Sequence, residues 1–134
     1  VALSVVRYIE KNNIMKQVEN KGILLRTELL KLQKVYPFIG DIRGKGLLLG
    51  IELVEDQLEK TPFKREMEIT NTMISLAQDV GLLLYPSQAG IDGLVGDAFI
   101  IAPPLTITLL EIQELINRLQ KAFSGLEHYV KLRV

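Results

Sequence analysis

The chain has no cysteine, no tryptophan, a single histidine and no excess of charge of either sign. The missing cysteines exclude disulfides, thiolate nucleophiles and thiolate metal sites at once. With His128 as the only imidazole, no His/Cys set of the size a zinc site needs is available, and no acidic run has EF-hand spacing. Sixteen basic residues against sixteen acidic ones cancel, which removes the footprint that nucleic acid or an anionic lipid surface would require. Long apolar runs are also missing, because charge or glycine interrupts each one before it reaches the length of a bilayer span. Arg7, Glu10 and Lys11 break the apolar start before it can serve as a secretion signal. A cytoplasmic protein with no metal, nucleic-acid or membrane partner is the expectation.

What the chain does have is apolar surface. At 134 residues it is long enough for one domain with a modest core, yet 48% of it is hydrophobic. A domain this small cannot enclose all of that, so a patch left open for a partner is expected, the alternative being a compact core with little left over.

Periodicity places the elements. Val1–Asn12 reads as a helix with Ala2, Val5, Val6 and Ile9 on its buried side. A second helix starts at Ile14, with Ile14, Val18, Gly22, Leu25, Leu29 and Leu32 in one stripe, and Tyr36-Pro37 ends it. Gly22 lowers helix propensity by roughly 1 kcal/mol, which predicts close approach of a neighbouring element there. Ile39–Arg43 and Leu47–Val54 read as strands around Gly44-Lys45-Gly46, the second covered on both faces for much of its length. A polar connection leads to a helix over Lys64–Val80 with Gly81 as its left-handed cap. Leu82–Pro86 and Asp97–Ala102 are the next strands, separated by a glycine-rich loop, Ser87–Gly96. Thr108 and Glu111 spell a capping box ahead of a helix whose buried row is Leu109, Ile112, Ile116, Leu119 and Phe123. Residues 126–134 are expected to fray. This order implies an α+β domain with a small, mainly antiparallel sheet and helices on one face.

Few residues offer chemistry. Arg43-Gly44-Lys45-Gly46 fits neither the Walker nor the dinucleotide glycine pattern, and it lies between strands, so it reads as a tight connection with solvated cations. Asp41, Glu52 and Asp97 lie near sheet positions, but nothing in their spacing selects a catalytic pair. Arg43 is a natural partner for Glu52. No serine sits in a Gly-x-Ser-x-Gly elbow. The Ser87–Gly96 loop reads equally as a plain connection or as the rim of a site.

Three segments together resemble one family. They are Arg43-Gly44-Lys45-Gly46-Leu47 continuing through Gly50-Ile51-Glu52-Leu53, then Gly81-Leu82-Leu83-Leu84, then Gly96-Asp97 followed by Pro103-Pro104-Leu105. In order and spacing this is similar to the C-terminal small domain of the class III (omega-type, subgroup II) aminotransferases, pyridoxal-phosphate enzymes of fold type I. The resemblance implies a small domain over residues 1–125, present here as a fragment, with 126–134 as a tail. It implies amino-group transfer between an amine or amino acid and a 2-oxo acid in an intact enzyme. There the partners would be a large domain holding pyridoxal phosphate and a second copy of the enzyme.

By the same resemblance, Tyr85, Gly93, Gly96 and Asp97 belong to the substrate entrance. No residue matches the catalytic lysine or the cofactor-binding set, so no bound cofactor and no transamination are expected of this chain alone. The family's substrate-gripping arginine would fall at Gly93 or at Ile100, and neither is arginine. A stand-alone α+β interaction module is the competing expectation, with a small hydrolase using Asp97 behind it.

Overall fold

The computed structural model of the chain describes residues 1–89 and 95–133. Its elements are α1 (Ala2–Lys11), α2 (Ile14–Val35), β1 (Ile39–Lys45), β2 (Leu48–Leu53), α3 (Ile69–Asp79), β3 (Tyr85–Gln88), β4 (Asp97–Ile101) and α4 (Leu109–Lys131). The four strands form one sheet in the order β1-β2-β4-β3, with every neighbouring pair antiparallel. β2 and β3 therefore run parallel with β4 between them, and α3 is the crossover that joins them.

One face of the sheet is covered. Ile42, Leu49, Ile51, Leu53, Phe99 and Ile101 point into a core shared with Leu25 and Leu29 of α2, Met73 of α3, and Ile112, Leu119 and Phe123 of α4. The α+β reading with helices on one face holds. The opposite face carries Asp41, Arg43, Gly50, Glu52, Ala98, Ile100, Tyr85 and Ser87, which share rows across the register. No element covers it among the described residues.

Several expectations need correction. β2 is buried on one face only, for Leu48 is 60% exposed and Gly50 and Glu52 are half-open. β1 runs on through Gly44 and Lys45, so the hairpin turn is Gly46-Leu47 instead, with Gly46 at φ +57° and Leu47 tucked into the core. Gly22 of α2 lies against that turn, the close approach its position predicts. The apolar side of α1 is open: Val5 and Val6 are about half exposed (52% and 50%), and no α1 residue is buried. Leu109 likewise faces outward from the first turn of α4.

The helix expected from Lys64 begins only at Ile69. Arg65–Met67 form a single 3-10 turn, and Glu68 breaks the path at φ +45°. β3 starts at Tyr85 rather than Leu82. Leu82 and Leu84 pack inward and Leu83 outward, which mimics a strand, but the β3–β4 register would set Leu84, Leu83 and Leu82 against Ile101 at the end of β4, Ala102 and Pro103, and Pro103 has no N–H to extend the ladder. Residues 126–131 do not fray. They extend α4 because Leu126, Tyr129 and Val130 continue the stripe of Leu119 and Phe123 onto the core.

The α4 capping box forms as read. The Glu111 N–H donates to Thr108 Oγ1 at 3.2 Å, and the Thr108 N–H donates to Glu111 Oε2 at 2.7 Å. That backbone N–H, and then the Thr108 hydroxyl, hold the Glu111 carboxyl below its ordinary value. A depressed folded-state value gives stability that is present above the unfolded value and lost as pH falls through the folded one. Thr108→Ala is expected to lose about 1 kcal/mol near neutral pH. Urea melts should show the gap between the two proteins narrowing as the pH drops below 4.5, the ordinary value for this group.

Candidate functional site

A cleft of about 450 Å³ opens where the β3–β4 hairpin meets the start of α3. Arg65, Glu68 and Asn71 line it from the α3 side, and Ser87, Gln88 and Asp97 from the sheet. Asp97 stands on the helix-covered side of β4, and its Oδ1 accepts both from the Thr70 N–H at 2.8 Å and from the Thr70 hydroxyl at 2.7 Å. A carboxylate from the sheet thereby satisfies a free amide in the first turn of α3, where negative charge is favoured by the helix dipole. Gly96, at φ +122°, approaches Ala89 so closely that an added Cβ would lie 2.6 Å from the Ala89 carbonyl oxygen. The Ala89 N–H donates to the Gly96 carbonyl across 3.4 Å, which ties the two ends of the loop together.

The four residues assigned to an entrance separate in space. Gly96 and Asp97 meet at the cleft. Tyr85 does not line it: Tyr85 pairs with Ile100 while Gln88 pairs with Asp97, so Tyr85 sits three residues, about 10 Å, along the hairpin. It also projects from the open face of the sheet, 69% exposed. Gly93 lies outside the described residues. Thr70, Asn71 and Arg65, which complete the cleft, carry no sequence signal. They come from what reads as an ordinary helix surface, and only the fold sets them beside a strand 27 residues away.

The open sheet face holds a second, shallower depression of about 300 Å³ around Gly50, whose missing side chain leaves the gap between Arg43 and Ile100. Arg43 pairs there with Glu52 and, at 3.2 Å, with Asp41. That network occupies the guanidinium, and Arg43, Gly44 and Lys45 are strand residues of β1 rather than parts of a loop. Ile100, one of the two positions where an arginine would fall, lies beside it. Ser87 has no imidazole to activate it, since the one histidine is exposed on α4. Among the described residues no group of His, Asp or Glu has the geometry of a metal site, and no helix is long and apolar enough to cross a membrane.

Residues 1–123 match the family model for aminotransferase class-III. The chain belongs to that family. It is 46% identical over 130 residues to the uncharacterized aminotransferase YodT of Bacillus subtilis, an alignment that covers 97% of this chain and 29% of the relative. The crystal structure of an (S)-enantioselective omega-transaminase from Thermomicrobium roseum superposes with a TM-score of 0.79 at 27% identity, over 93% of this chain and 26% of that one. A pyridoxal-phosphate-bound aminotransferase mutant from Vibrio fluvialis shares the fold at a TM-score of 0.83 and 23% identity, over 95% of this chain and 26% of that one. The chain thus spans between a quarter and a third of the length of these class-III relatives.

The family is pyridoxal-phosphate-dependent. The residues of this chain do not fit that group. An amine that binds the cofactor covalently near neutral pH must be desolvated or tuned by its surroundings. None of the ten lysines is buried, and Lys45, the one nearest to the glycine turn, is exposed. No charged side chain of any kind is buried among the described residues. No chemical step is therefore assigned to the cofactor on this chain.

Proposed function

We propose that this chain is the C-terminal small-domain portion of an omega-type (subgroup II) class-III aminotransferase, with α4 through Lys131 part of that domain. In it an amino group passes between an amine or amino acid and a 2-oxo acid. The observation that carries this reading is a family match over nearly all of the chain in which no lysine is desolvated. The lysine, the phosphate site and the aspartate that pairs with the pyridine ring are then supplied by a large domain outside this sequence. The enzyme would work in the cytoplasm as a homo-oligomer. The part played by this chain is to close over the cofactor cleft, exclude water and shape the substrate entrance, with Gly96 and Asp97 at its edge. The open sheet face and the exposed apolar side of α1 are the surfaces suited to that contact.

The test pairs the chain with the remainder of the Bacillus subtilis relative, co-expressed as a separate polypeptide. The expected result is co-purification and transaminase activity from the pair, with neither cofactor binding nor turnover from the chain by itself. A well-behaved monomer that neither associates nor restores activity would favour a stand-alone interaction module. A visible absorption band formed by pyridoxal phosphate on the chain alone, and abolished by Lys45→Ala, would overturn the division of labour.

A further inference from the structure

The wall of the cleft is an irregular segment, and two distant elements grip it. Between Phe63 and Ile69 the backbone makes a 3-10 turn, reverses at Glu68 in the left-handed region, and enters α3. Glutamate has no intrinsic preference for that conformation, so the surroundings must impose it. Two side chains are placed to do so. Tyr129, in the last turns of α4, donates its hydroxyl to the Met67 carbonyl oxygen at 2.9 Å. Asp97 holds Thr70 from β4. Met67 and Ile69, on either side of Glu68, are both buried, which gives the segment an apolar underside between its polar anchors.

Tyr129 lies six residues beyond the end of the family match at Phe123, in the stretch whose sequence suggests a loose tail. It is half-buried against the core, and Arg133 stacks over its ring at 4.3 Å from the centroid. We propose that Tyr129 and Asp97 are positioning residues that hold residues 64–70 as one rigid wall, and so fix where Arg65 and Glu68 stand in the cleft. The end of α4 then serves as a strap across the entry to α3 rather than as a terminus. This concerns the shape of the cleft whatever it admits, so its failure would leave the aminotransferase reading standing.

Amide hydrogen exchange on the chain tests it. The N–H groups of Met67, Glu68, Thr70 and Thr72 are bonded to Lys64 O, Arg65 O, Asp97 Oδ1 and Glu68 O, and they report on the segment from end to end. Tyr129→Phe removes one hydroxyl and keeps the ring. It should speed exchange about 5- to 10-fold at all four amides, the factor that a single hydrogen bond supplies. Asp97→Asn keeps an oxygen that can accept, and should act on the same four amides, Met67 included, while Asp97→Ala does so more strongly. Amides of β2 and the middle of α4 should not change in any of these variants. If Tyr129→Phe affects only Met67 and Asp97→Asn only Thr70, the segment is not one unit and the proposal fails. A uniform rise across the molecule, tracking a fall in global stability, would overturn it equally.

Discussion

Gly22→Ala is expected to destabilise the chain by about 1–3 kcal/mol, against the usual direction of a glycine-to-alanine change in a helix. In an exposed helix interior the substitution gains roughly 1 kcal/mol from propensity alone. Here the added Cβ would lie 2.5 Å from the Gly46 carbonyl oxygen and 2.7 Å from its Cα. Both are backbone atoms in a two-residue turn, so no flexible side chain can move aside. Val18, one turn earlier on the same face of α2, also crowds the turn, its Cγ1 lying 2.9 Å from where a Gly46 Cβ would be, so helix and turn are in close contact over a full helical turn. α2 must therefore lift away from the hairpin, and Leu47, buried under the turn, loses contact as it does so. Urea unfolding should show a lower midpoint with an unchanged slope, as expected when stability alone is altered. Met15→Ala, at an exposed position on the same helix, is the control and should change little.

That glycine shows what was readable from sequence. Its position in the middle of an apolar stripe implied a close neighbour, and the 3.6-residue period gave the stripe; only the identity of the neighbour had to come from the fold. The capping box and the left-handed stop at Gly81 were legible for the same reason, since both are local. The Gly81 and Leu82 N–H groups return to Gln78 and Ala77 in a Schellman motif within a few residues. Illegible features were those set by distant partners. The start of α3 depends on Asp97, the start of β3 on where β4 is stopped by proline, and the fate of residues 126–131 on a core that α4 reaches only after folding.

The same division holds for the candidate site. Gly96 and Asp97 stood out as part of a family pattern, and they do meet at the cleft. Tyr85, grouped with them by the same resemblance, stands about 10 Å along the hairpin and on the open face of the sheet, set there by strand alternation and register. Arg65 and Thr70 sit on a segment with no distinguishing pattern. Apolar excess was the more useful global signal: it implied surface left open, and the structure leaves one sheet face and much of α1 uncovered. It did not say where, because α1 by its own periodicity looks like any core helix.

Phe123→Ala is expected to have the largest effect on stability, about 3–5 kcal/mol. Phe123 is fully buried at the junction of three other aromatic rings, 5.4 Å from Tyr36, 5.7 Å from Phe38 and 6.1 Å from Phe99, centroid to centroid. Those rings come from the end of α2, the approach to β1, and β4, so a single side chain on α4 joins the helical layer to the sheet. Truncation leaves a cavity that the rigid strands cannot collapse into, and it removes the tilted and edge-on ring contacts as well. Against a typical total of 5–15 kcal/mol for a domain, a loss of this size brings the chain close to unfolding at 37 °C. Phe123→Leu refills most of the volume and should lose less than half as much. Tyr36→Phe separates packing from polarity, for the Tyr36 hydroxyl bonds to Ser124 Oγ at 2.8 Å and to the Gln120 carbonyl oxygen at 3.3 Å. Its removal should lose only about 1 kcal/mol, the worth of a hydrogen bond rather than of a ring. If thermal melts rank Tyr36→Phe level with Phe123→Ala, the helical layer is held to the sheet by that polar link and not by the aromatic junction. The expected order, Phe123→Ala well below Phe123→Leu and Tyr36→Phe, makes the aromatic junction the link that holds the helical layer to the sheet.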